Sequence, residues 1–349
     1  MVSKVGRFVV LKIWFDILTP KQILFFDPMI RQLRKGNSVM CTTRNYREVN
    51  ELSKLKNMKL IIVGKHGGNT KYGKLNASLK RSVSLGLLVE KFKPDVLVSF
   101  CSPEASRIGF GLGVRHYAFC DSPHAEAVMK LSIPYVDKLL IPWIISKNEF
   151  TKYGIKPENI ITYKAIDASS IVRNSIRVKQ QKNKKKTILI RVEEEHAAYV
   201  QKNNHTIQII QRIAENFPEH DILVLPRYKS QIEILRKTMK GRIKILNKVV
   251  IGSELLQKVD IFVGSGGTMI AEAALLGIPT ISYNAVPNLI QNFLVRKKLV
   301  SLESNPDKII LLIKKFLATD NKSLRKNAQK TLITMEDPYK KLIQLIRDK

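Results

Sequence analysis

Short apolar segments alternate with amphipathic helical segments along the chain, and the alternation breaks once and restarts. Phe8–Phe15, Val39–Thr43, Leu60–Val63, Asp95–Phe100, Arg115–Cys120 and Lys138–Ile141 read as strands. Gln22–Arg34, Tyr46–Lys56 and Leu75–Phe92 read as helices. After the basic, glutamine-rich run 179–186, strands are predicted over Thr187–Val192, Asp221–Leu225, Ile243–Leu246, Ile261–Val263 and Thr280–Tyr283. Helices are predicted over His205–Phe217, Gln231–Met239 and Thr268–Leu276, with a terminal helical group from Pro287 onward. Buried strands that alternate with helices form parallel sheets covered on both faces and joined by right-handed crossovers. A chain of 349 residues also exceeds what one hydrophobic core usually serves. The expectation is an α/β protein of two Rossmann-like domains, 1–178 and 187–335, joined by the linker 179–186 and followed by a helix at 336–349. Ligands of such sheets bind beyond the carboxyl ends of the strands, which places a site in the cleft between the two domains.

The segment Val259–Ile281 carries the most chemistry. A strand runs into Gly264-Ser-Gly-Gly267, and a helix begins at Thr268. Glycines let the backbone approach an oxyanion, and the free N–H groups and positive dipole end of a first helical turn favour a phosphate. Ser265 and Thr268 add hydroxyl donors. Glu272 lies about one turn beyond Thr268 on the same face, where its carboxylate can accept both hydroxyls of a ribose. Gly277 and Pro279 end the helix and start the next strand. Arg191 ends the first strand of the second domain, where a guanidinium can fork onto a diphosphate.

Ser265-Gly-Gly-Thr-Met-Ile-Ala-Glu272, with Leu276-Gly277 and Pro279 after it, resembles the donor-nucleotide segment of GT-B glycosyltransferases. The serine–glutamate–glycine spacing is that of the peptidoglycan N-acetylglucosaminyltransferase and is close to that of UDP-N-acetylglucosamine 2-epimerases. Asp16-Ile-Leu-Thr-Pro-Lys-Gln22, Gly64-Lys-His-Gly-Gly68, Ser102-Pro-Glu-Ala105 and Asp121-Ser-Pro-His124 resemble the domain of unknown function 354 family, which is GT-B-like. The resemblance implies a GT-B-like fold. It also implies that Ser265, Gly266 and Gly267 hold the diphosphate of a nucleotide-sugar and that Glu272 holds its ribose.

Reactive groups are sought at the strand ends of the first domain. Asp16 follows the first strand and reads either as a general base or as a turn residue before Thr19-Pro20. Asp121 reads as a helix cap or, with His124 three residues on, as half of an acid/base pair. Glu104 lies in a first helical turn, as a cleft carboxylate or a partner of the helix dipole. His66 sits among glycines that point to close backbone approach or mobility. Glu193-Glu-Glu-His196 lacks the spacing of a metal site, and no metal is expected.

Sixty basic residues against 29 acidic ones give a formal charge of +31. Such a field attracts polyanions. The excess is spread along the chain, and the densest run, 177–186, has no interleaved aromatic, which argues against specific nucleic-acid recognition. A solvated lysine-rich surface or an acidic membrane surface carrying a lipid-linked acceptor remain as readings of the charge. Gln22–Arg34 is a candidate membrane-docking helix, although its apolar spacing suits the core better. Cys41, Cys101 and Cys120 read as buried free thiols. With neither a signal pattern nor a spanning run, the expected location is cytoplasmic, including peripheral attachment to a membrane.

The leading expectation is a glycosyltransferase that uses a UDP-sugar as substrate and holds no permanent cofactor. A 2-epimerase on the same scaffold is the first alternative; two consecutive acidic residues mark its helix where this chain has Ala271-Glu272. A non-catalytic anion or polymer binder is the second. Oligomeric state leaves no mark in the sequence.

Overall fold

A computed structural model describes residues 10–68, 70–177, 185–193, 205–283 and 288–347. The chain forms two compact units, Met1–Ala165 with Asp337–Lys349, and Ile166–Glu336.

The first unit contains β1 (Lys12–Asp16), α1 (Pro20–Leu33), β2 (Ser38–Asn45), α2 (Arg47–Leu55), β3 (Ile61–Lys65), α3 (Lys71–Phe92), β4 (Val96–Ser99) and α4 (Pro103–Gly111). It continues with β5 (Arg115–Phe119), α5 (Glu126–Ser132), β6 (Lys138–Pro142), α6 (Asn148–Thr151) and β7 (Ile160–Tyr163). The strands form one parallel sheet in the order β3-β2-β1-β4-β5-β6-β7. The order reverses between β1 and β4, where Asp16 lies opposite Ser99. That reversal opens a crevice beyond the carboxyl ends of these two strands.

α1 shows how sequence becomes packing. Thr19 accepts from the Gln22 amide, and Pro20 occupies the first turn, where a missing N–H costs nothing. Ile23, Phe25, Phe26, Met29, Ile30 and Leu33 are buried. Phe25 and Phe26 meet Phe15, Phe100 and Phe119 at ring-centroid distances of 5.0–5.7 Å, mostly edge-on. The helix is a core element; of its candidate membrane-facing residues only Leu24 is half-buried, which leaves little apolar surface for a membrane.

The second unit contains α7 (Asp167–Arg173), β8 (Thr187–Arg191), α8 (His205–Asn216), β9 (Asp221–Leu225), α9 (Lys229–Met239), β10 (Lys244–Ile245), α10 (Gly252–Leu256) and β11 (Ile261–Gly264). It continues with α11 (Thr268–Leu275), β12 (Thr280–Ser282), α12 (Leu289–Arg296), β13 (Ser301–Leu302), α13 (Pro306–Ala318) and α14 (Lys322–Ile333). Its parallel sheet has the order β10-β9-β8-β11-β12-β13 and reverses between β8 and β11, where Gly264 faces Arg191. Ile188, Ile190, Ile209, Ile213, Val263 and Ile309 belong to its buried core. The last helix, α15 (Pro338–Arg347), belongs to the first unit, where the Tyr117 hydroxyl donates to the Leu345 carbonyl at 3.0 Å.

The division at Ala165 differs from the expected domain end at 178. Residues 166–173 carry a helix, α7, that packs along α11. At its end the Arg173 guanidinium donates to the carbonyls of Leu332, Met335 and Glu336 at 2.5–3.0 Å. Local periodicity could not reveal these long-range partners. Residues 179–184 of the expected linker lie outside the described residues, as do Glu194, Glu195 and His196. All three cysteines are buried and free.

Candidate functional site

In the second unit, β11 delivers the chain to the crevice at Gly264, and three residues later α11 begins. Gly266 (φ 106°) and Gly267 (φ 82°) occupy the left-handed region. No atom stands within 4 Å of where a Gly267 Cβ would lie, so the turn needs this glycine for its dihedral. Gly267 takes the N-cap position, and among the described residues no side chain caps the helix. Several other helices of the chain also lack a side-chain cap, but α11 alone follows this glycine turn and presents its backbone donors beside the half-buried Ser265 and Thr268.

One turn on, Glu272 is 3% exposed. Burial pushes its carboxyl up to about 8, and its Oε2 has no hydrogen-bond partner among the described residues. α10 packs beside α11 here, and a Cβ on Gly252 would come within 3.3 Å of that oxygen. A carboxyl removed from water without a partner is costly to keep charged, and such groups concentrate at binding sites. Ile270, Ala271, Ala273 and Ala274 bury the rest of the helix and fix its rotation.

Arg191 stands across from Gly264 in the sheet register. Its Nη1 donates to the carbonyls of Leu225 at 3.2 Å and Pro226 at 3.0 Å, so part of the guanidinium is committed to the end of β9. Glu193 is buried, accepts from the Thr206 hydroxyl at 2.9 Å, and through its carbonyl accepts from Gln231 at 3.0 Å. It anchors α8 and α9 to the strand end.

In the first unit, Asp16 is fully buried. Arg81 of α3 meets it with two hydrogen bonds, Nη2 to Oδ1 at 2.6 Å and Nη1 to Oδ2 at 3.2 Å. Thr42 donates to Oδ1 at 2.7 Å and itself accepts from the Trp14 indole at 2.7 Å, while Ser102 donates to Oδ2 at 2.6 Å. Glu104 approaches the same guanidinium at 3.6 Å. Burial works against the Arg81 charge, but Asp16 and Glu104 outweigh it and the guanidinium is held above its ordinary value. The network joins Asp16 and Glu104, two sequence candidates, through a residue the sequence reading missed. Arg81 lies at helical spacing from the buried Leu85 and Val89, the one local sign that it faces inward. Arg44, near the end of β2, also faces Glu104; burial lowers its guanidinium, and its Nε has no hydrogen-bond partner among the described residues.

With both oxygens engaged, Asp16 fits the role of a general base poorly; the geometry makes it the hub of the strand-end network. Asp121 pairs with Lys21 at the start of α1 and accepts from Ser122 at 2.9 Å. It does not cap a helix, since α5 begins at Glu126. His124 is exposed in the intervening turn. His66 is also exposed, its ring 5.4 Å from that of Tyr46, and its Nδ1 accepts from the Gly68 amide at 3.2 Å. The glycines near it have a structural use. A Cβ on Gly67 would fall 2.5 Å from the Gly73 carbonyl oxygen, and one on Gly64 would meet the Arg81 Cβ at 2.9 Å. Close approach is thus needed, but to α3. Among the described residues, no group of three His, Cys, Asp or Glu side chains could hold a metal ion.

The chain is 28% identical over 285 residues to Uncharacterized protein MJ0665 of Methanocaldococcus jannaschii, covering 78% of this chain and 81% of that protein. Among solved structures it is similar to the UDP-GlcNAc 2-epimerase of Methanocaldococcus jannaschii in complex with UDP-GlcNAc and UDP. The TM-score is 0.73 at 16% identity, covering 97% of this chain and 100% of that one. It is also similar to the spinosyn rhamnosyltransferase SpnG complexed with spinosyn aglycone, with a TM-score of 0.65 at 11% identity and the same coverage. These likenesses establish the fold, the pair of parallel sheets found in GT-B glycosyltransferases and 2-epimerases. The family model described as Protein of unknown function (DUF354) matches residues 11–349, and the chain belongs to that family.

Proposed function

We propose that the second unit binds a nucleoside-diphosphate sugar, with UDP as the nucleotide, and that the protein is a glycosyltransferase. The carrying observation is the buried Glu272 carboxyl, whose Oε2 has no hydrogen-bond partner among the described residues, one turn beyond the glycine turn that starts α11. Backbone N–H groups of residues 266–268 and the hydroxyls of Ser265 and Thr268 receive the diphosphate. The Glu272 carboxylate receives the ribose hydroxyls, which supply the donors its Oε2 lacks. As the sugar leaves, charge develops on the diphosphate, and the fixed dipoles at the helix start stabilise it without reorganisation. An acceptor hydroxyl gives its proton to His124 or Asp121, the candidates outside the Asp16 network. Asp16 acts as a positioning residue that holds Arg81, Ser102 and Thr42.

Epimerisation is the second reading, favoured by the likeness to the UDP-GlcNAc 2-epimerase fold and by the clustering of the Asp16, Arg81 and Glu104 side chains at one strand edge. One experiment distinguishes the readings. The protein is incubated with UDP-sugars, with and without a lipid extract, while UDP and sugar epimers are followed. Acceptor-dependent UDP release supports transfer, and 2-epimer formed without acceptor supports epimerisation. Absence of both turnover and UDP binding rejects the two together.

A further inference from the structure

The longest helix of the first unit buries little of itself. Only Arg81, Leu85 and Val89 of α3 are buried, although the helix spans 22 residues. Tyr72, Leu75, Leu79, Val83 and Leu87 are 57–75% exposed. Their spacings of three and four residues put them on one face, opposite the buried one. Scattered exposed apolar residues are ordinary, but a continuous stripe about four turns long marks an interaction surface.

Charge decides what the stripe meets. The exposed charged residues of α3 are Lys71, Lys74, Lys80 and Lys91 against Glu90, which lies beyond Leu87 at the end of the stripe, in a chain of formal charge +31. Lys80 and Lys91 lie along one flank of the stripe at helical spacing. Long lysine stems can lie along an apolar layer while the ammonium groups reach into the polar zone above it. A second copy of the chain would bring like charges together at those flanks. An anionic surface with an apolar interior complements both the stripe and its lysines. Among the described residues no helix is long and apolar enough to cross a membrane, so contact of this kind is shallow.

We propose that the exposed face of α3 docks the protein on an anionic lipid surface, with the Tyr72–Leu87 stripe inserted among the acyl chains and Lys80 and Lys91 at the phosphate level.

The full-length protein is sedimented with phosphatidylcholine vesicles that contain either no anionic lipid or roughly one-third phosphatidylglycerol. Binding is expected only to the anionic vesicles. The paired change Leu79→Ser with Val83→Ser should lower it at least about tenfold, with circular dichroism unchanged because both side chains are solvent-exposed. Lys80→Gln with Lys91→Gln should weaken it and reduce its salt sensitivity. Lys314→Gln with Lys315→Gln, an equal charge loss on α13, should leave it near the original level. Equal binding to neutral vesicles, absence of binding, or an equal loss in the α13 control would each overturn the proposal. So would light scattering that shows a dimer converted to monomer by Leu79→Ser with Val83→Ser, which would assign the stripe to self-association. The readout involves neither nucleotide nor turnover, so its failure leaves the nucleotide-sugar reading standing.

Discussion

Arg81 and Asp16, 65 positions apart, meet as a buried pair with two hydrogen bonds of 2.6 and 3.2 Å. Removing one partner leaves a buried charge with weaker company, Arg81 with Glu104 at 3.6 Å or Asp16 with the Thr42 and Ser102 hydroxyls. Asp16→Asn or Arg81→Met alone should therefore destabilise the protein by roughly 3–5 kcal/mol. The double variant should recover more than about 1 kcal/mol relative to the sum of the single losses. Urea denaturation measures both quantities, and strict additivity would remove the pair from the account of stability.

Glu272 predicts a pH signature. Its carboxyl sits at about 8 in the folded chain, against an ordinary value of 4.5. Between those values the folded state holds a proton that the unfolded state has lost, so this group's stabilisation is full at low pH and declines as pH rises toward 8. The slope is at most about 1.4 kcal/mol per pH unit. Glu272→Gln should flatten it. The same variant should weaken UDP binding, because an amide is a poorer partner for two ribose hydroxyls. If the wild-type complex uses the ionised carboxylate, binding near neutral pH releases a proton. Calorimetry in two buffers of different ionisation enthalpy would detect it.

Two glycines of the second unit separate binding from folding. Gly277 (φ 72°) has the Arg325 Cα 2.8 Å from where its Cβ would lie, so Gly277→Ala meets both an unfavourable dihedral and backbone. Gly267 (φ 82°, ψ −172°) has open space there, so Gly267→Ala meets no atom and costs about 1–3 kcal/mol for a backbone conformation that is nearly reserved to glycine. The stability loss should be larger at Gly277. The loss of UDP affinity should be larger at Gly267, where the new methyl stands on the anion-facing turn. The reverse ranking in affinity would move the diphosphate elsewhere.

Asp121 and Lys21 form an ion pair between the end of β5 and the start of α1, with His124 three residues on. Asp121→Asn and His124→Asn should each reduce turnover tenfold or more while leaving UDP affinity unchanged, since they lie in the other unit. A rise in UDP dissociation constant without a fall in turnover would remove both from the proton-transfer step.

The parallel sheets, most of their strands and the α11 turn were legible because burial leaves apolar runs and glycines mark dihedrals within a few residues. β7 at Ile160–Tyr163 is too short to show a pattern. α7 changes units because of partners near residue 335. The α11 site was readable as one contiguous segment, whereas the Asp16 network draws on four separated segments and its central cation lies mid-helix. Asp16 and Glu104 were therefore visible as charged residues at strand ends, while the guanidinium that occupies them was not. The glycines beside His66 pointed to close approach or mobility, and the neighbour that Gly67 approaches, Gly73 of α3, left no mark in the local sequence.

α3 meets its unit through Leu85, Leu88, Val89 and Phe92 and through the Arg81 guanidinium, whose Nε also holds the Val63 carbonyl at 3.0 Å. Such a pin sets the roll of a cylinder about its long axis. A leucine core alone would tolerate some rotation, because apolar contact has no direction, whereas a forked ion pair has one. The heading of the outer stripe is thus keyed to a carboxylate on the innermost strands. Loosening that key would turn the helix's outward face without altering a single residue on it.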